Sequence, residues 1–301
     1  MGLNREYIGH NFNSIVHDVT EKEIHDYSLA IGARNLSYYI YDGKVGPDQI
    51  EGMAPPSLVV IYELPMLERI WKDPGLHGGE EEAKKNVLML LHGDQKMKFF
   101  KPVRPGDKLT FNATITDIIV RGRGEILSFK VTSTNQNNEK VVESDWGLFI
   151  RGIESGKKPA RPERKPENKP EEKPLLAFRK IIHVPTDVTY RYSKAAKDMN
   201  PIHIDESAAQ DAGLKGIVVH GLCTMSMAMS AIIECYADSD PSRLKSICVR
   251  FTSPVYPGDT LIADGWEIEL KNGLAKIGFE VARKEDGLKV IKRGTAEVST
   301  V

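Results

Sequence analysis

Alternation of apolar and polar residues dominates two stretches of the chain, and this pattern predicts β-strands. Each stretch begins directly after a Pro-Gly-Asp turn, at residues 105–107 in the first half and 257–259 in the second. Three segments follow each turn and are separated by turn residues such as Gly122 and Gly273. The predicted strands are 110–120, 126–133, 140–150, 260–270, 274–282 and 289–298.

One further segment is apolar on all sides, and this pattern predicts a buried helix. The segment, 222–237, is too long for an ordinary strand, and its three Ala, three Met and one Leu also favour a helix. Residues 57–71 are its counterpart in the first half. A long buried helix followed by a run of antiparallel strands predicts an α+β fold, in which a curved sheet is wrapped around a central helix.

The two halves of the chain repeat each other. Residues 98–109 and 250–261 align at a constant offset of 152 positions, with seven identities. A weaker match lies upstream at an offset of 165, where Tyr27 pairs with Tyr192. The difference between the offsets predicts about 13 extra residues in the first half, and the polar stretch 73–86 is the place for them.

Residues 154–174 differ in composition from everything around them. Of these 21 residues, 12 are charged and five are proline, and Ala160 is the only one that could enter a core. Such a segment cannot bury enough apolar surface to offset the entropy lost on ordering. We therefore expect an N-terminal repeat at 1–153, a charged proline-rich linker at 154–174 and a C-terminal repeat at 175–301.

Charge and composition exclude several classes of protein. There are 41 Lys and Arg against 42 Asp and Glu, a balance that argues against a protein that binds nucleic acid through its phosphates. The apolar runs are far shorter than the roughly 18 residues that a membrane span requires. The three cysteines form no CxxC pair, so neither a disulfide framework nor a cysteine zinc site is expected. Together with a C-terminus unlike a peroxisomal signal, these features predict a cytoplasmic protein without nucleic-acid or membrane partners.

A cluster of polar residues before the second long helix carries the strongest candidate chemistry. Asp198 and His203 stand five residues apart across an Asn200-Pro201 turn, where proline moves the preceding residue out of the helical conformation. A carboxylate and an imidazole brought together by such a turn can hold one water molecule between them. Spacing alone leaves a second explanation open, in which the aspartate caps a turn and the histidine is an ordinary buried one.

Gly221 is the second candidate, because it stands at the start of the same helix. Backbone N–H groups there lack partners within the helix, and glycine lets a ligand approach closely, so the position can bind a carbonyl oxygen that becomes negative. A plain loop-to-helix junction also explains this residue. In the repeat, Asp198, His203 and Gly221 are matched by Ala33, Tyr38 and Pro56. We therefore predict that only the second half is catalytic, since proline has no N–H to donate.

Residues 193–225, which read SKAAKDMNPIHIDESAAQDAGLKGIVVHGLCTM, resemble the hydratase-2 motif of the MaoC-like (R)-specific enoyl-CoA hydratases. The likeness continues through the second half, and the first half resembles the degenerate N-terminal repeat of two-repeat members. The hydratase-2 domain of peroxisomal multifunctional enzymes of type 2 is similar in both respects. The resemblance implies a double hot-dog fold, in which each repeat is a curved antiparallel sheet around a long helix.

The resemblance also implies roles for individual residues. Asp198 and His203 would hold the attacking water, and Gly221 would donate its N–H to the thioester carbonyl. The substrate-binding residues would be His92, Gly93, Arg121, Met199, Asn200, Pro201, Ile202 and Phe251. The first three of these would meet the CoA portion, where a guanidinium suits phosphate oxygens. One departure is Ala196-Lys197, where family members usually carry Ser-Gly.

The combined prediction is reversible hydration of a trans-2-enoyl-CoA to a (3R)-3-hydroxyacyl-CoA. The partner is the acyl-CoA substrate, and a homodimer is a possible assembly. We expect no cofactor and no metal ion, because the thioester is already polarised and no His/Cys set has metal-ligand spacing. Three alternatives stay open: a hot-dog thioesterase, a non-catalytic acyl-binding or scaffold protein, and a hydratase that takes acyl-carrier-protein thioesters.

Overall fold

The computed structural model describes residues 2–33, 52–152 and 175–300. The first half contributes strands β1 (Asn11–Asp18), β2 (Leu90–Phe99), β3 (Lys108–Val120), β4 (Gly124–Thr134) and β5 (Lys140–Arg151). The second half contributes β6 (Phe178–His183), β7 (Leu244–Phe251), β8 (Thr260–Lys271), β9 (Leu274–Arg283) and β10 (Lys289–Ser299). In the described residues these strands form one antiparallel sheet in the order β1-β3-β4-β5-β2-β7-β10-β9-β8-β6.

Two long helices are the central helices of the two halves. The described helices are α1 (Glu21–Ala30), α2 (Val59–Trp71), α3 (Pro74–His77), α4 (Glu80–Leu88), α5 (Val188–Ala196), α6 (Glu206–Asp211) and α7 (Gly221–Tyr236). α2 and α7 begin and end within two residues of the predicted bounds. α3 and α4 lie between α2 and β2 and occupy the insertion that the repeat predicts, because the connection from α7 to β7 holds only the 3₁₀ turn Pro241–Arg243.

The six predicted strands are all present, with ends within two residues of the prediction. They are recognisable because one face of each strand packs on the core, so that buried and partly exposed residues alternate along β4 and β5. The predicted curved sheets are joined edge to edge through β2 and β7, which pair in antiparallel register. The predicted linker 154–174 lies outside the described residues, as does Tyr38.

Buried side chains also connect the helices of the two halves. Tyr27 of α1 and Tyr192 of α5 are both fully buried, with ring centroids 5.8 Å apart. The Tyr27 hydroxyl lies 2.8 Å from Oγ of Ser226 in α7 and donates to the backbone carbonyl of Ser57 at 3.1 Å. In the described part of the chain, no helix is long and apolar enough to span a membrane.

Glu63 is a carboxylic acid buried in the core of the first half. The indole Nε1 of Trp146 donates to its Oε2 at 2.6 Å, and Oγ of Ser144 lies 2.7 Å from its Oε1. These neutral partners do not offset the cost of desolvating a carboxylate, so burial raises the pKa of Glu63 to about 8. The protonated acid accepts from Trp146 through Oε2, and its Oε1 shares a hydrogen bond with the hydroxyl of Ser144, which can accept as well as donate.

We expect this group to make the protein less stable as pH rises. The pKa of Glu63 is about 8 in the folded protein against 4.5 for the ordinary carboxyl, so between these values the folded protein keeps a proton that the unfolded chain has released. Stability therefore falls as pH rises through this window and levels off above it. Glu63→Gln mimics the protonated acid, because an amide can donate to Ser144 and accept from Trp146. Urea unfolding measures the free energy of unfolding near pH 5 and near pH 8, and it should fall less between these values in the variant than in the wild type. Equal declines in the two proteins would contradict the raised pKa of Glu63.

Candidate active site

A tight turn after α5 directs Asp198 towards His203. Lys197 ends the helix in the left-handed conformation, with φ 56° and ψ 24°. Oδ1 of Asp198 accepts from the backbone N–H of Asn200 at 3.2 Å, and Oδ1 of Asn200 accepts from that of Ile202 at 3.4 Å. The second bond caps the 3₁₀ turn that carries His203. The predicted Asn-Pro turn is therefore present, and it brings the two candidate groups together.

His203 is buried and held in one tautomer. Its Nδ1 lies 2.7 Å from the backbone carbonyl of Val218, an acceptor, so Nδ1 carries the proton and Nε2 carries a lone pair. Burial lowers the pKa of His203, and this effect outweighs the opposing effects of the Val218 carbonyl and the Asp198 carboxylate. The imidazole is therefore neutral near pH 7, with Nε2 free to accept a proton.

His220 is a third member of this cluster. Its ring stacks on that of His203, with centroids 3.7 Å apart and planes 24° apart. Its Nε2 lies 3.3 Å from the backbone carbonyl of Asp198 and 3.3 Å from Oγ of Ser193. Burial, together with the neighbouring His203, lowers the pKa of His220 to about 3, and its Nδ1 has no hydrogen-bond partner among the described residues. Sequence reasoning missed His220 as a site residue, although its place directly before Gly221 was a signal.

Asp198, His203 and His220 are also the described residues that could hold a metal ion. One potential ligand atom of each lies within 4.8 Å of the others. The sequence analysis found no such set, because residues 203 and 220 are too far apart along the chain to be recognised as ligands. The two histidine rings are stacked with their planes 24° apart, and Nε2 of His220 lies 3.3 Å from the Asp198 carbonyl, to which it can donate.

Gly221 is the first residue of α7, where the backbone N–H has no partner within the helix. A Cβ added to Gly221 would lie 3.5 Å from the ring of Phe251, an ordinary contact distance. The Phe251 ring in turn lies 4.9 Å from that of His92, which stacks on Trp146 at 4.8 Å. Burial lowers the pKa of His92 to about 4, so this imidazole is also neutral. The start of α7 thus lies against Phe251, which in turn contacts His92 of the first half.

A cavity of about 270 Å³ lies beside Phe251 and is built by both halves. Its lining residues are Gly93, Asp94, Arg121, Ile126, Gly147, Phe149, Arg250 and Phe251. The exposed Arg121 lies at this cavity, while Arg250 is held by Asp94 at 2.7 Å. The structure therefore brings together three predicted substrate residues, Gly93, Arg121 and Phe251. It also adds Arg250, which directly precedes Phe251 in the repeated segment and was not predicted.

Other predicted residues lie outside this cavity. Met199, Asn200 and Pro201 are exposed on the turn, and Ile202 is partly buried. Asp198 and His203 are not among the lining residues either. A chain of contacts links them to the cavity: His220 stacks on His203, and Gly221, the next residue, lies against Phe251 in the cavity wall.

Comparison with known proteins shows which family this architecture belongs to. A profile described as "MaoC like domain" matches residues 163–287, and one described as "FAS1-like, dehydratase domain region" matches residues 6–144. The 3-hydroxyacyl-thioester dehydratase Y of Mycobacterium tuberculosis is 31% identical over 210 residues, which cover 65% of this chain and 68% of that protein. The chain belongs to the MaoC-like dehydratase family. This assignment makes it a hydro-lyase.

Relatives within the MaoC-like family match over nearly the whole chain. Probable enoyl-CoA hydratase 2 of Dictyostelium discoideum is 28% identical, over 99% of this chain and 97% of that protein. Peroxisomal multifunctional enzyme type 2 of Mus musculus is also 28% identical, over 97% of this chain, but the chain spans only 38% of that larger protein. The resemblance stated from the sequence is therefore confirmed.

Solved structures of the MaoC-like type confirm the fold. A MaoC-like dehydratase from Phytophthora capsici has a TM-score of 0.76 at 25% identity, over 99% of this chain and 98% of that one. A Mycobacterium tuberculosis protein with a double hot-dog fold has a TM-score of 0.62 at 12% identity, over 97% of this chain and 96% of that one. The predicted double hot-dog fold is correct.

Lys197 is the departure from the usual Ser-Gly of the MaoC-like family, and the structure shows its physical consequence. Its positive φ is one that glycine adopts freely and that costs other residues about 1–2 kcal/mol. The Nζ of the exposed lysine lies 3.7 Å from Oε1 of the partly buried Glu23, a long ion pair that contributes little. The turn before Asp198 therefore keeps the backbone shape of a glycine turn at some cost in stability.

Lys197→Gly is expected to stabilise the protein by roughly 0.5–1 kcal/mol, because relief of backbone strain exceeds the added chain entropy. Lys194→Gly is the matched control, since Lys194 is exposed in the same helix and glycine there should destabilise by about 1 kcal/mol. Urea unfolding at one pH measures both changes. A loss of stability in Lys197→Gly as large as that in Lys194→Gly would show that the turn is not strained.

Proposed function

We propose that this chain catalyses reversible hydration of a trans-2-enoyl-CoA to a (3R)-3-hydroxyacyl-CoA. One observation carries the proposal: His203 is buried and neutral, and its Nε2 is free to accept a proton. The same turn holds the Asp198 carboxylate close to this imidazole, beside the start of α7. The relatives named enoyl-CoA hydratase 2 support the choice of reaction and of thioester.

In the proposed reaction, Asp198 and His203 hold one water molecule. The carboxylate and the free Nε2 both accept hydrogen bonds, so they orient the water with its oxygen towards Cβ of the substrate. The O–Cβ bond forms as the water loses a proton to this pair, and a proton from the pair reaches Cα. One proton is taken and one is returned, so the pair ends the turnover in its starting state.

Gly221 is proposed to stabilise the negative charge that develops on the thioester oxygen. Its N–H is unpaired within α7 and lies at the positive end of the helix dipole. We propose His220 as a positioning residue, because its ring supports the His203 ring and its Nε2–H binds the Asp198 carbonyl. Its very low pKa keeps it uncharged, so it does not compete for the proton that the pair transfers.

We propose that the two halves have different roles. Residues 175–301 supply the reacting groups, residues 1–153 supply the cavity wall at Gly93 and Arg121, and 154–174 connect them. The guanidinium of Arg121 is exposed at the cavity and is proposed to bind a phosphate of the CoA portion. We further propose a cytosolic, homodimeric enzyme that needs no metal ion or cofactor.

Arg121→Ala is expected to raise KM for the CoA thioester several-fold while kcat changes little, because the phosphate is remote from the reacting carbons. The effect should shrink at high salt, which screens exposed charges. Arg123→Ala, at the other arginine of the same turn, is the control and should leave both constants unchanged. Steady-state kinetics at two salt concentrations measure this. A fall in kcat at constant KM would place Arg121 closer to the chemistry.

Two measurements on one enoyl-CoA sample test the reaction class: the absorbance of the conjugated thioester and the amount of free thiol. Hydration removes the absorbance of the conjugated thioester and releases no thiol, whereas a thioesterase releases free CoA, and a binding protein changes neither. We expect loss of absorbance with no free thiol, in the presence and absence of a metal chelator. The matching acyl-carrier-protein thioester, assayed in parallel, distinguishes the carrier.

A further inference from the structure

The two halves are related by a pseudo-twofold axis at the centre of the sheet. The strand order on one side of the β2–β7 pair repeats in reverse on the other, so that β1 matches β6 and β3 matches β8. At the centre, Lys96 pairs with Cys248, and these two residues are separated by 152 positions, the offset of the sequence repeat. Rotation about this axis therefore carries each residue near β2 to a matched residue near β7.

This rotation carries two lining residues of the proposed active site to the wall of a second cavity. Gly93 is carried to Lys245 and Phe251 to Phe99, while the offset of 165 carries the start of α7 to Pro56. Lys245, Phe99 and Pro56 all line one pocket of about 150 Å³. We call this the rotated pocket, and its residues used below are Pro56, Val59, Phe99, Lys101, Leu244 and Lys245.

The rotated pocket combines apolar walls with two cationic side chains. Val59 and Leu244 are buried wall residues, while Lys101 and Lys245 are exposed. Lys101 pairs with Glu139 at 2.9 Å, and Lys245 donates to a backbone carbonyl at 2.8 Å. Exposed contacts of this kind contribute little, so both ammonium groups are available to an anionic ligand. This combination suits a ligand that has both an apolar chain and an anionic portion, as an acyl-CoA does.

The rotated pocket lacks the groups that would react. Pro56 stands where the second half has Gly221, and proline has no N–H for a thioester oxygen. Ala33 matches Asp198 and is itself buried, so a methyl group replaces the carboxylate. A thioester bound there would meet neither the oxyanion donor nor the carboxylate.

We infer that the rotated pocket is a second acyl-CoA site, which binds the thioester without converting it. The choice of ligand rests on the proposed function, because the pocket is matched by rotation to the site where that function places the substrate. Each chain would then bind two thioesters, one at the reacting site and one, more weakly, at the rotated pocket. The second ligand would occupy its site only when the thioester is abundant.

The inference is tested by calorimetric titration with decanoyl-CoA, a saturated thioester that cannot be hydrated. We expect two sites per chain in the wild type. Lys245→Glu should weaken the second site about fivefold by charge reversal, and Lys271→Glu, exposed at the end of β8, should leave it unchanged. Ser242→Trp, at an exposed residue of the pocket lining, should fill the opening and abolish the second site. Decanoate and CoA, titrated alone, show which part of the ligand is recognised.

Enoyl-CoA hydration at low substrate concentration should be the same in all four proteins, once circular dichroism shows that each is folded. One site per chain in a wild type that hydrates normally would overturn the inference and leave the proposed function intact. Two sites that both persist in Ser242→Trp and Lys245→Glu would place the second ligand elsewhere and also overturn it. If the wild type neither binds decanoyl-CoA nor hydrates the enoyl-CoA, both the inference and the proposed function are overturned.

Discussion

Asp198→Asn is expected to lower kcat by at least about 100-fold, the scale for a positioned acid or base. The amide keeps the shape of the carboxylate and can still accept the backbone N–H of Asn200, so the turn should survive. It cannot take a proton from water. His203→Gln should cause a similar loss, because an amide does not replace the basic Nε2 of a buried neutral imidazole.

The double variant distinguishes a shared water from two independent effects. If Asp198 and His203 act on one water molecule, the double variant should be little slower than the slower single variant, because residues that act as a unit are not additive. Asp205→Asn is the matched control, since this aspartate lies on the same loop and only caps α6. Rate losses that multiply in the double variant would argue against a shared water.

Gly221→Pro is expected to lower kcat by about 100- to 1000-fold, the effect of removing one oxyanion donor. Proline at this position deletes the N–H and reproduces the Pro56 of the first half. The fold should tolerate it, because proline is favoured at the first helical position and constrains the residue before it to an extended conformation. His220 already has φ −55° and ψ 134°, close to the φ −51° and ψ 134° of Pro55 before Pro56.

Gly221→Ala is the control that keeps the N–H. Its methyl group would lie 3.5 Å from the ring of Phe251, so the side chain fits and we expect weaker substrate binding rather than loss of turnover. Circular dichroism and thermal melting of both variants precede the kinetics. A folded Gly221→Pro enzyme with kcat near that of the wild type would falsify the oxyanion assignment.

The strands that the sequence predicts are those with one buried and one partly exposed face. β2 and β7 were not predicted as strands, although they join the two halves. In β2 the alternation covers only Gln95–Lys98, and Gly93 interrupts it where the register with β5 shifts between His92 and Asp94. Gly93 therefore prevents the segment from being recognised as a strand, and the same glycine lines the cavity.

The candidate site is predictable where its residues are close in sequence. Asp198 and His203 meet through one local turn, so their spacing indicated the pair. His220 reaches His203 only because the chain returns after α6, where the Val218 carbonyl binds His203 Nδ1. Arg250 meets Asp94 across the junction of the two halves. Contacts of this kind depend on tertiary structure, so no short-range pattern reports them.

The central claim is that water adds to Cβ of an enoyl thioester at Asp198 and His203 with one stereochemical outcome. The most direct test is to incubate trans-2-enoyl-CoA with the wild type and with Asp198→Asn in ¹⁸O-labelled water, and to resolve the 3-hydroxyacyl product by chiral chromatography and mass spectrometry. We predict that the wild type gives the 3R product with ¹⁸O at C3, and that the variant gives almost none. A 3S or racemic product, or equal yields from both proteins, would contradict this account.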